Sequence, residues 1–205
     1  MIGRSPLLRS EWRHIETVAL AAFSPAEWDL LNAQRRVYMA AEQAGQVLRL
    51  LGASAEDATF GYLVNNYRHC LQSATMALRD RLDEETVVVC LLHDVGFITC
   101  PTTHGELAAA LLGPYVSEAN EWMLRHHQVF QDYHLHADPM VDRHARERWR
   151  GHPHFEWTAT FVERYDQAAN DPGYDCAPLE AFEPMVRRVF SRPPRRGSRT
   201  DEVRA

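Results

Sequence analysis

The 205-residue chain, with 45% hydrophobic and 24% charged residues, has the composition of a soluble protein able to bury one core. Its net charge of −6 argues against a nucleic-acid polymer as partner, since such binding calls for a basic surface. No apolar run nears the roughly 20 residues that span a bilayer, and the start MIGRSPLLRSEWRH turns polar too early for a secretory signal, so no membrane and a cytoplasmic location are expected.

Residues 1–23, closing on the apolar stretch Val18 to Phe23, read as an arm or short helix. Ser24-Pro25-Ala26-Glu27 is a helix start: serine caps, proline suits the first turn and glutamate completes a capping box. The helix it opens carries Leu30, Leu31, Val37, Ala41, Ala44, Val47, Leu48 and Leu51 at helical intervals, and Gly52 can end it. A second helix is expected from about Asn65 to Leu82 and a third from Glu84 to Val95. The centre of the third, VVVCLL, fits a buried strand equally by periodicity; length, the Asp83-Glu84-Glu85 start and the following Gly96 favour helix. His104 to Leu112 is a fourth helix, stopped by Gly113-Pro114, and Ser117 caps a fifth that runs to about Gln128. The polar stretch from Gln131 to Pro153 holds a helical segment at Asp138 to Arg150, followed by helices at His154 to Ala169 and Pro178 to Phe190. An all-α domain over residues 24–190 is the result, and residues 191–205, rich in proline and charge, are expected to form a disordered tail.

Cys70, Cys90, Cys100 and Cys176 form no CxxC pair, and the first two fall in apolar runs where a thiol serves as a small hydrophobe. All 22 basic residues are arginine, which excludes a lysine Schiff base or a Walker-type phosphate loop.

The eleven histidines are unevenly placed, and the pair His93-Asp94 ends the most apolar helix. An ionised aspartate there costs several kcal/mol without a compensating partner. A metal cation is an efficient one, although a His-Asp pair alone is as compatible with a simple hydrogen bond. His69, His104, His127 and Asp166 lie on further helices that can converge on one bundle centre. Imidazole and carboxylate together suit iron, zinc or manganese better than calcium or magnesium. Six donors exceed what one open metal site takes, so two ions with Asp94 bridging are expected. His126 competes with His127, and the two point about 100° apart on a helix.

The order H…HD…H…H…D around LLHDVG resembles the HD superfamily of metal-dependent proteins, in whose dinuclear branch both intervening histidines are ligands. The segments GYLVNNYRHCLQSA, LLHDVG, THGELAAALL, MLRHHQ and RYDQA are similar to those of PhnZ-type and inositol-oxygenase-type mixed-valent diiron oxygenases, over about Gly61 to Asp175. The resemblance implies an HD-domain helical bundle with a dinuclear site at its centre, held by His69, His93, Asp94, His104, His127 and Asp166. It implies an Fe(II)/Fe(III) pair, with manganese, zinc or magnesium as alternatives, and O2 and a small polar substrate oxidised at a C–H beside a heteroatom. Asp94, Tyr62, Arg68 and Arg164 are the candidate catalytic or substrate-contacting residues; spacing favours His127 over His126.

Departures limit the likeness. Aminophosphonate oxygenases of this type carry a tyrosine and a glutamate upstream and a lysine after the fourth histidine, where Thr59, Tyr62 and Gln131 stand here. Phe97 replaces the histidine after the HDxG motif, so the phosphonate- and amine-binding parts are not reproduced. The alternative activity is metal-dependent hydrolysis of a nucleotide or other phosphate ester, with Arg68, Arg125 and Arg164 as phosphate-binding groups. A non-catalytic binding module is a third reading, and oligomeric state is left open.

Overall fold

The computed structural model describes residues 12–195, which contain α-helices, short tighter turns and irregular segments but no strand. The chain divides into two compact units, Met1–Gln43 and Ala44–Ala205. Helix α1, Pro25–Gly52, runs through that boundary. In the first unit the capping box forms as expected: Glu27 accepts from the Ser24 amide at 2.7 Å and Ser24 Oγ accepts from the Glu27 amide. Of the expected N-terminal arm, residues 1–11 lie outside the described residues; the rest contains one short 3-10 turn, Leu20–Ala22.

The second unit contains the remainder of α1 and six further α-helices: α2 Asn66–Arg79, α3 Glu84–Leu92, α4 His104–Leu112, α5 Glu118–Gln131, α6 Phe155–Phe161 and α7 Leu179–Phe190. Asn65, Asp83 and Ser117 cap α2, α3 and α5 by accepting from Arg68, Thr86 and Asn120 amides. Helix α3 is the hub. Val87 through Leu92 are all essentially inaccessible, because α2, α5 and α7 cover it. Helix α4 packs on α5, and α5 on α6.

Several boundaries differ from the sequence expectation, and each has a local cause. Helix α3 stops at Leu92, with His93 as its C-cap, and residues 94–100 turn through bonds such as Phe97 N to Asp94 O and Cys100 N to Gly96 O. Helix α5 continues to Gln131, one turn past the expected end. In the polar stretch, the segment expected at Asp138 to Arg150 is helical only over Ala145–Trp149, as a 3-10 turn, and another 3-10 turn stands at Asp132–His134. The expected helix from His154 to Ala169 changes at Val162 into a π-turn, Val162–Asp166, closed by Gln167 N donating to Val162 O. The start of the expected tail is tied down: the Arg195 amide donates to Pro114 O at 2.7 Å, and the guanidinium to Gly113 O. Residues 196–205 lie outside the described residues.

The α4–α5 contact depends on Gly105. A Cβ there would stand 2.5 Å from the backbone oxygen of Leu124, which cannot move without moving α5. Gly105→Ala is expected to destabilise the protein by about 1–3 kcal/mol, as overpacked cores do. Thermal unfolding followed by circular dichroism checks this; an unchanged Tm would refute the close-approach account.

Candidate metal centre

The six residues singled out in the sequence come together, and all six are buried. His69 stands mid-way along α2, His93 and Asp94 follow the last turn of α3, His104 opens α4, and His127 lies on α5. Asp166 ends the π-turn. One extra residue in such a turn rotates everything after it relative to a regular helix, which is why π-turns recur at functional sites. Here the turn is pinned from outside: Tyr165 Oη and the Arg164 guanidinium both donate to Asp80 Oδ2, at 2.9 and 2.7 Å.

The donors form two overlapping groups. His69 Nε2 and His93 Nε2 are 3.1 Å apart, and both face Asp166 Oδ1, at 3.5 and 3.7 Å. His104 Nε2 and His127 Nε2 are 3.0 Å apart, and each lies 3.1 Å from Asp94 Oδ1. Asp94 belongs to both, because its Oδ2 lies 3.7 Å from His69 Nε2. The sets His69–His93–Asp166 and His93–Asp94–His127 each have the convergence that can hold a metal ion.

The outer edges of the imidazoles decide what sits between them. Nδ1 of His69, His93, His104 and His127 lies 2.8–3.1 Å from the carbonyl oxygens of Ala169, Cys90, Pro101 and Leu124 respectively. A carbonyl only accepts, so Nδ1 carries the hydrogen and, in the neutral ring, Nε2 is a bare lone pair. Four lone pairs and two carboxylates therefore face one another out of water. Such a set is repulsive unless protons or cations fill it. Asp166 Oδ2 adds a buried acceptor without any hydrogen-bond partner. The residues fit a transition-metal ion of the borderline kind that binds nitrogen and oxygen.

Surrounding groups fix the donors. Gln131 Nε2 donates to Asp166 Oδ1 and Asn66 Nδ2 to the Asp94 carbonyl, both at 2.9 Å. Phe161 meets the His93 ring edge-on at 5.3 Å, and Phe97 meets His104 at 5.7 Å. His126 lies outside the cluster: Nδ1 approaches Trp122 O at 2.7 Å and its ring stacks on Trp122. This geometry favours His127 as the ligand.

Burial and charge compete in the titration of the site. Burial alone would lower the His93 pKa, but the Asp94 and Asp166 carboxylates outweigh it and push it up to about 9. Burial, reinforced by the His93 charge, lowers the pKa of His69. Burial opposes ionisation of Asp94, yet the His93 charge and the contacts of His104 and His127 hold it well below the ordinary carboxylate range. The Cys70 and Cys90 thiols are pushed up by burial and stay protonated, in keeping with a packing role.

The centre opens on a cavity of about 240 Å3 whose lining includes His69, Asp94 and His104. Tyr62 and Gln131 also line it, as does Phe97. Phe60, which lines the cavity, and the next residue, Gly61, are both at positive φ, 53° and 99°. Arg68 and Arg164 are not brought to the cavity. Arg68 donates to the carbonyls of Tyr174 and Pro172, and Arg164 is held by Asp80. Sequence reasoning missed Asn66, which donates to the Asp94 carbonyl, and the place of Asn170 in the lining. For Gln131 a signal existed, since it stands four residues after His127 and hence on the same helix face.

No protein-family model and no curated protein matches the chain. Among the described residues, no helix is long and apolar enough to cross a membrane.

Two outcomes test the cluster. His93→Ala or Asp94→Ala is expected to remove bound metal, measured by elemental analysis of purified protein, while His126→Ala retains it. Metal loading must also displace the proton that His93 holds up to about pH 9, against 6.5 for ordinary histidine. Apparent affinity should therefore rise with pH across that window, with protons released on binding. Calorimetric titration in buffers of different ionisation enthalpy measures both; affinity that falls as pH rises would contradict the donor assignment.

Proposed function

We propose that the chain is a diiron oxygenase of the HD type, acting on a small polar substrate at a C–H beside a heteroatom. One observation carries the choice over phosphate-ester hydrolysis: the cavity over the donor cluster has no arginine in its lining. Arg125, the remaining candidate for phosphate, is paired with Glu106 and Glu121. A phosphoryl substrate would have only the metal ions to balance its charge, whereas a neutral or cationic substrate needs no cationic side chain.

In this reading His69, His93, Asp94, His104, His127 and Asp166 would hold the two ions. An Fe(II)/Fe(III) pair held there would supply one-electron chemistry for oxidation of the substrate by O2. The chain's own residues do the remaining work. The carbonyl bonds to the four Nδ1 atoms lock the imidazoles in one tautomer and one orientation. Gln131 steadies Asp166, and Phe60, Phe97 and Leu135 give the cavity an apolar border that limits water. His69, Asp94 and His104 present the ligand cluster to whatever enters.

Anaerobic iron loading, partial reduction and low-temperature EPR test the reading, with iron counted on the same sample. A coupled half-integer-spin signal at near two irons per chain, with O2 uptake on substrate addition, is the expected result. Tight zinc or manganese with release of phosphate from phosphate esters would replace it with the hydrolase reading.

A further inference from the structure

The cavity wall carries a chemical bias that reaches beyond the reaction type. Five primary amides line it; Asn65 is used by the fold, its oxygen accepting from the Arg68 amide and its nitrogen donating to Ala55 O, which leaves Asn66, Gln131, Gln167 and Asn170. Each of these four amide nitrogens gives one of its two hydrogens to a protein acceptor. Asn66 Nδ2 donates to Asp94 O at 2.9 Å, Gln131 Nε2 to Asp166 Oδ1 at 2.9 Å, and Gln167 Nε2 to Glu163 O at 2.8 Å. Asn170 Nδ2 points to Gln167 O at 3.5 Å. All four partners are carbonyl or carboxylate oxygens, which only accept, so the amide orientations are dictated and none can be flipped without loss.

What the four residues have left is their side-chain oxygen and one N–H each. None of these side-chain oxygens has a hydrogen-bond partner among the described residues. Arginine is absent from the lining and lysine from the whole chain, so neither stands on the wall to pair with an anion. A phosphate or carboxylate placed against it would lose water with no arginine or lysine to compensate, and would stand beside the unused oxygens and the Asp94 carboxylate. An ammonium, with three donors and no acceptor, matches the unused oxygens. The rings of Phe60, Tyr62 and Phe97 in the same lining suit a cation by their electron-rich faces.

We propose that the cavity selects a small amino alcohol bearing no phosphate or carboxylate, its ammonium held among the oxygens of Asn66, Gln131, Gln167 and Asn170 and its hydroxyl turned to the ligand cluster. This rests on the reading of the cluster as an active site for small molecules. It deepens that reading by naming the substrate class and the residues that choose it.

The test measures binding rather than turnover, so that it stands apart from the oxygenase assignment. Iron-loaded protein is titrated with 2-aminoethanol and 4-amino-1-butanol, with the matched diols, and with the matched O-phosphates, while metal content is recorded for every sample. The amino alcohols should bind about tenfold tighter than either counterpart, a difference of about 1.4 kcal/mol. Gln167→Glu, which adds negative charge to the wall, should tighten the amino alcohols several-fold and weaken the O-phosphates; Gln167→Met should weaken the amino alcohols. Tighter binding of the diols or O-phosphates to the unmodified protein would overturn the inference. So would identical affinities in Gln167→Glu at unchanged metal content. Absence of O2 uptake with the binding preference intact would count against the oxygenase and leave the selectivity standing.

Discussion

The structure depends on one electrostatic constraint: the Nε2 atoms of four imidazoles and two carboxylates meet on buried side chains. Groups of this kind cost several kcal/mol each to bury without compensation. Their own surroundings make the constraint stricter, because the backbone carbonyls behind the rings occupy the Nδ1 hydrogens that might otherwise turn inward. Only protons or metal cations reconcile the set. The fold therefore builds a demand for positive charge into its centre.

The packing of the second unit delivers that centre. Helix α3 is apolar on every side and so is driven to the middle of the bundle, which brings its C-terminal end, and with it His93 and Asp94, into the interior. Helix C-termini carry partial negative charge, which adds to the preference for a cation there. Gly105 lets α4 approach α5 closely enough for His104 and His127 to meet. The π-turn supplies the last donor, and Gln72 ties the segment after it to α2 by donating to Ala168 O and accepting from the Asp171 amide. Contacts from four helices and one π-turn are thus joined through the cluster they surround.

Much of this was legible in the chain before any coordinates. The caps at Ser24, Asp83 and Ser117 are local signals, and the all-round apolar run at Val87 to Leu92 marks a buried helix. The convergence of His69, His93, Asp94, His104, His127 and Asp166 was readable because each interrupts a helix with a group that burial penalises. Other features were hidden for equally physical reasons. A π-turn leaves the apolar pattern of Phe155 to Tyr165 intact, so periodicity reads straight through it. Arg68 and Arg164 neighbour ligands in sequence, yet adjacent helical residues point in different directions, and both reach the surface. The free oxygens of Asn66, Gln131, Gln167 and Asn170 depend on which neighbour takes each amide nitrogen. That information is three-dimensional from the start.

The most direct measurement is anomalous diffraction from crystals of the iron-loaded protein, collected on both sides of the iron absorption edge. Two anomalous peaks are expected, about 3.5–4 Å apart as in other two-metal sites. One should lie within ligand distance of His69, His93 and Asp166, the other of His104 and His127, with Asp94 between them. A single peak, or iron bound away from these six side chains, would contradict the account.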